Sequence, residues 1–134
     1  MRIGVDVWRG AGDTPAMYNA IVLDHFQNPR NAGTLDRATA TISVENPVCG
    51  DLLELSVRME AGRIAEARFR TRGCVTAMAC SSLLTELLGG KTPAEARAIT
   101  PEQMSEALGG LPPATFHAAQ LARDAALALA EKLG

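Results

Sequence analysis

Apolar and polar positions alternate along this chain with two distinct periods, and the switch between them divides it into elements. Between Met17 and Gln27 the apolar residues Tyr18, Ile21, Val22 and Phe26 fall at helical spacing. Asn28-Pro29-Arg30-Asn31 with Gly33 then breaks the pattern, which predicts a short helix followed by a loop. Thr41 to Glu45 and Leu52 to Met59 alternate or run β-branched and apolar, and Ala61-Gly62 supplies a tight turn into Ile64 to Thr71. These segments predict a three-stranded antiparallel sheet. A helix is expected from Val75 to Leu88, with Ala77, Cys80, Leu84 and Leu87 on one apolar stripe and Gly89-Gly90 ending it. Thr92-Pro93 and Thr100-Pro101 each read as an N-cap followed by proline at the first helical position, giving two short helices before Gly109-Gly110. After Leu111-Pro112-Pro113 a final helix should turn Ala118, Leu121, Ala122, Ala125, Leu129 and Leu133 toward the sheet, with Arg123, Asp124, Glu131 and Lys132 toward water.

Residues Met1 to Pro15 follow neither period, so residues 1–16 read as a flexible leader and 17–134 as the domain, with Met17 as an alternative start. A length of 134 residues fits one core, so the chemistry should converge on a single site. With 47% hydrophobic but only 4% aromatic residues, the core must be built from aliphatic side chains and many alanines packed closely. A net charge of -2 offers no basic field for nucleic acid or anionic lipid. No apolar run approaches the ~20 residues that cross a bilayer, and Met1 to Gly12 lacks an apolar signal-peptide centre, so a cytoplasmic protein is expected. In a chain with no export signal, three cysteines, Cys49, Cys74 and Cys80, make a poor disulfide framework. Metal, sulfur chemistry or burial must explain them.

The richest loop is Asn46-Pro47-Val48-Cys49-Gly50-Asp51, where Gly50 lets the backbone turn so that a thiol and a carboxylate can point at one ion. Taken alone, the pair reads more readily as structural, Asp51 as a turn residue ahead of a strand and Cys49 as a small buried hydrophobe. Cys74 follows Gly73 where a helix begins, and the positive helix end there should favour the metal-binding thiolate, while a cysteine simply buried at a strand–helix corner fits the position equally well. His117 stands near the start of the last helix, and its imidazole suits zinc or iron, although a lone histidine is more often structural. Together Cys49, Asp51, Cys74 and His117 supply the four donors that zinc prefers. Cys80 lies six residues past Cys74, about 9 Å along a helix. That is too far for two donors each about 2.3 Å from one ion, so Cys80 is assigned to the core. His25 is assigned a structural role.

Read in order, Leu23-Asp24-His25-Phe26-Gln27-Asn28-Pro29-Arg30-Asn31, Pro47-Val48-Cys49-Gly50-Asp51, Arg72-Gly73-Cys74, Ser81-Ser82-Leu83-Leu84-Thr85-Glu86, Gly90-Lys91 and Leu111-Pro112-Pro113 followed by His117 resemble the IscU/NifU family of iron–sulfur cluster assembly scaffolds over about Met17 to Lys132. The resemblance implies an α+β fold in which helices cover a three-stranded antiparallel sheet, also described as SufE-like. It further implies a non-catalytic carrier that takes sulfur from a cysteine desulfurase, combines it with iron into a transient [2Fe–2S] cluster and hands the cluster to acceptor apo-proteins. Members can also hold zinc. The family's ligand positions fall on Cys49, Asp51, Cys74, His117 and Ala118. Alanine can neither bind metal nor carry a persulfide, and a cysteine is the family residue at that place. Ala114-Thr115 stand where chaperone-served scaffolds have valine and lysine, which argues against chaperone-assisted release. A homo-oligomer around a shared cluster is left open by the resemblance.

Three functions therefore compete: a scaffold with four remaining ligands; a zinc-binding desulfurase partner that no longer assembles clusters because of Ala118; and a metal-free structural relative.

Overall fold

The computed structural model describes residues 19–46 and 50–134. The expected leader, Tyr18 and the Pro47-Val48-Cys49 segment lie outside these. The elements in order are α1 (Ala20–Gln27), β1 (Ala40–Asn46), β2 (Asp51–Glu60), β3 (Arg63–Arg72), α2 (Val75–Leu88), α3 (Pro93–Arg97), α4 (Pro101–Ala107), a 3-10 turn (Pro113–Thr115) and α5 (His117–Leu133). The strands form one antiparallel sheet in the order β1-β2-β3, so the expected α+β class and its three-stranded sheet are what the chain folds into.

Register follows from which side chains must leave water. Leu55 pairs with Ile42 on one side and Phe69 on the other, and Leu53, Leu55 and Val57 are fully buried beneath the helices. The opposite face carries cross-strand ion pairs, Glu54 with Arg70 and Arg58 with Glu66, so it can stay wet. Ala61 and Gly62 both adopt positive φ, 54° and 79°, the geometry of a two-residue hairpin turn whose twist matches the strands.

α2 packs on β3 and α5 on β1 and β2. The single stripe expected on α2 is too narrow: Thr76, Ala79, Ser81, Ser82, Leu83, Thr85 and Leu88 are buried along with Ala77, Cys80 and Leu84, whereas Leu87 is only half-buried. α2 is covered on one side by β3 and on another by α1, so it is wrapped rather than laid on a surface. On α5 the alanines at 118, 119, 122, 125, 126 and 130 are all buried, which lets its backbone approach the sheet closely. Arg123, expected in water, is half-buried, and its Nε makes no hydrogen bond among the described residues.

The loop after α1 ties the first helix down. Ser82 Oγ accepts the Arg30 N–H at 2.9 Å and lies 2.8 Å from His25 Nδ1. Asn31, at φ 61°, donates from Nδ2 to Thr85 Oγ1 at 3.1 Å and accepts the Phe69 N–H at 3.0 Å. His25 is thus a core residue with partners on α2, as its structural assignment required.

Candidate metal centre

Three chain segments meet at one end of the sheet. Gly50, at φ 74°, bends the backbone into β2, and its N–H closes the turn on Asn46 O at 2.7 Å. Asp51 then takes the first position of β2 on the row that continues through Leu53, Leu55 and Val57, so the strand's alternation aims its carboxylate under the helices. Only 3% of Asp51 is exposed. Cys74 is the N-cap of α2, with φ -76° and ψ 171°, and its Sγ accepts the Ala77 N–H at 3.4 Å. His117 opens α5, directly after the 3-10 turn that the Pro112-Pro113 pair starts.

The donor atoms of Asp51, Cys74 and His117 all lie within 4.8 Å of one another. Asp51 Oδ2 is central, 3.5 Å from His117 Nε2 and 3.9 Å from Cys74 Sγ. Donors on a tetrahedral zinc stand roughly 3.3 to 3.8 Å apart, given metal bonds of about 2.0 to 2.3 Å. A small inward movement would therefore seat an ion among these three. Of the four residues singled out in the sequence, the structure brings Asp51, Cys74 and His117 together, while Cys49 falls outside the described residues.

The expectation that the helix start would hold Cys74 as a thiolate is corrected here. Burial pushes the thiol above its ordinary value, and the Asp51 carboxylate pushes the same way; the Ala77 and Thr76 N–H groups pull it down but do not prevail. Cys80, by contrast, is where it was expected. It is fully buried in α2, and burial raises its thiol to about 12, which suits a small core hydrophobe.

Position 118 is the first fully buried residue of α5, with Ala118 1% exposed beside half-exposed His117. A cleft of about 220 Å³ borders His117, lined by Glu45, Asn46, Gln120, Leu121 and Asp124. Its α5 residues sit three, four and seven positions beyond His117, a helical spacing legible in sequence, but only the sheet edge shows that Glu45 and Asn46 close the other side.

Fold and site thus define a small α+β domain with a Cys/Asp/His group at one end of its sheet. The family model of the NifU-like N terminal domain matches residues 17–132, and the chain belongs to that family. It is 48% identical over 109 residues to the iron-sulfur cluster assembly scaffold protein IscU 1 of Archaeoglobus fulgidus, covering 81% of this chain and 71% of that protein. The scaffold protein IscU of Haemophilus influenzae is 43% identical over 112 residues, covering 81% and 88%. A NifU-like N-terminal structure from Brucella abortus superposes with a TM-score of 0.60 at 22% identity, covering 90% of each chain, a likeness of fold. Among the described residues no helix is long and apolar enough to cross a membrane.

Proposed function

We propose that this chain is an iron–sulfur cluster assembly scaffold, holding iron or a [2Fe–2S] cluster as cargo at Cys49, Asp51, Cys74 and His117 and passing it to acceptor apo-proteins. The observation that carries this reading is the convergence of Asp51, Cys74 and His117 donors within 4.8 Å, in a chain nearly half identical to a protein named as such a scaffold. Sulfur would come from a cysteine desulfurase and be accepted by Cys49 or Cys74, since Ala118 offers no thiol. Asp51 is the hard oxygen donor beside two soft thiolates and a borderline imidazole, and an ill-matched donor favours handover over storage. The same four donors suit a single zinc ion. Anaerobic reconstitution with iron and sulfide, read by visible absorbance and by iron and sulfide content, should give a [2Fe–2S] spectrum. If no cluster forms and the purified chain also takes up no zinc, the reading is wrong.

Ala118 favours a second reading, a zinc-binding partner of a desulfurase that no longer assembles clusters. Stoichiometric zinc that iron and sulfide cannot replace, together with desulfurase binding, would select it. Under the scaffold reading an Ala118→Cys variant should take up persulfide sulfur faster than the unaltered chain, measured by mass spectrometry.

A further inference from the structure

Gly73, between β3 and the Cys74 cap, stands against the Asp51 carboxylate. A Cβ built on it would collide with Asp51 Oδ1 and stand 2.8 Å from Cγ and 3.2 Å from Cβ of the same residue. Atoms at such distances repel, and Asp51 cannot swing freely away because it is 3% exposed at the buried end of β2. The backbone itself places no demand for glycine here, since Gly73 lies outside the positive-φ region that Gly50, Gly62 and Gly90 occupy. What position 73 requires is empty space, and the group filling it is the carboxylate whose other oxygen lies 3.5 Å from His117 Nε2 and 3.9 Å from Cys74 Sγ.

We propose that Gly73 is a positioning residue: its missing side chain is the seat that lets the Asp51 carboxylate lie between Cys74 and His117, and any side chain at 73 removes Asp51 from the donor group. This deepens the metal-site reading and rests on it. Gly73 touches no metal itself. It acts through Asp51, so its effect on metal binding should vanish when Asp51 has no carboxylate, while only the milder 3.2 Å contact with the Cβ of residue 51 remains.

The test is a double-mutant cycle on the full chain with Gly73→Ala, Asp51→Ala and both together, reading zinc affinity by competition with a chromophoric chelator and thermal stability of the zinc-free protein. Gly73→Ala should weaken zinc binding about as much as Asp51→Ala does, by at least the roughly 10-fold that disturbing a ligand's outer contacts costs. The double variant should bind within about twofold of Asp51→Ala alone, as expected when one residue works wholly through the other. Melting should show the same coupling: Gly73→Ala lowers the midpoint in the presence of Asp51 and lowers it much less once Asp51 is alanine, where only the 3.2 Å Cβ contact is left. Should Gly73→Ala not fold, a folded double variant supports the proposal and an unfolded one overturns it. Unchanged zinc affinity in Gly73→Ala, or losses that multiply in the double variant, also overturn it. If the unaltered chain binds no zinc, the metal-site reading fails instead, and the melting cycle alone decides whether Gly73 seats Asp51.

Discussion

Burial and the neighbouring Asp51 carboxylate hold Cys74 as a thiol in the metal-free site, so a metal must displace its proton to bind. Because the folded value lies above the ordinary one, the proton is fully present at neutral pH and below. Zinc affinity should therefore rise with pH, Cys74 contributing about tenfold per unit through the neutral range. Titrations at several pH values, with proton release measured in buffers of different ionisation enthalpy, check this; a flat profile would exclude Cys74 as a ligand. Asp51 makes a separate prediction. Replacing its oxygen by sulfur with Asp51→Cys should strengthen the hold on a cluster and slow its transfer to an apo-acceptor by about tenfold or more, seen in the acceptor's circular dichroism. Equal transfer rates would mean that the carboxylate does not govern release. At this scale the sequence exposed the donor types and the loss at Ala118. It could not expose the demand for space at Gly73, because that demand comes from a residue 22 positions earlier in the chain.

Among elements, the α1 loop and α2 form the joint that the Asp24-to-Asn31 motif builds. Ser82 Oγ accepts the Arg30 N–H and lies 2.8 Å from His25 Nδ1, while His25 Nε2 faces Glu86 Oε1 at 3.8 Å. Burial, followed by the Arg30 charge, lowers the His25 pKa and so favours the neutral imidazole. The sign follows: below its ordinary value of 6.5 the unfolded chain binds a proton that the folded chain refuses. Stability from His25 is thus present above that pH and lost as pH falls toward the folded value. The melting temperature should drop between pH 7.5 and 5.5 more in the unaltered chain than in His25→Gln; the same drop in both would rule His25 out. Ser82→Ala leaves the Arg30 N–H and His25 without their partner and should cost about 1 to 3 kcal/mol, measured by urea unfolding. The helix was legible as an apolar period. Its burial on nearly all sides was not, since Ser81, Ser82 and Thr85 read as polar until α1 and β3 are placed against them.

Across the whole molecule, the site fastens β2, α2 and α5 together at one end of the sheet, so any ion bound there stabilises the packed state over the unfolded one. Zinc at 100 times its dissociation constant should add about 2.7 kcal/mol and raise the melting temperature by several degrees, with a chelator reversing the shift. No shift in calorimetry would show that no ion bridges these elements. The sheet's outer face, held by Glu54–Arg70 and Arg58–Glu66 pairs, lies apart from this effect and should respond to salt rather than to metal.

Element types, strand pairing and the candidate donors were legible in the sequence alone, because hydrophobic period, turn chemistry and residue identity are local properties. They sufficed for the three-stranded sheet, the Ala61-Gly62 turn and the Asp51, Cys74 and His117 candidates. Only tertiary structure decided the state and setting of those candidates. The helix start favours a Cys74 thiolate locally, but desolvation depends on everything packed around it, and that sum reverses the local preference. Contact between Asp51 and Gly73, and the placing of His117 beside both Asp51 and Cys74, exist only once β2, β3 and α5 are brought to the same corner.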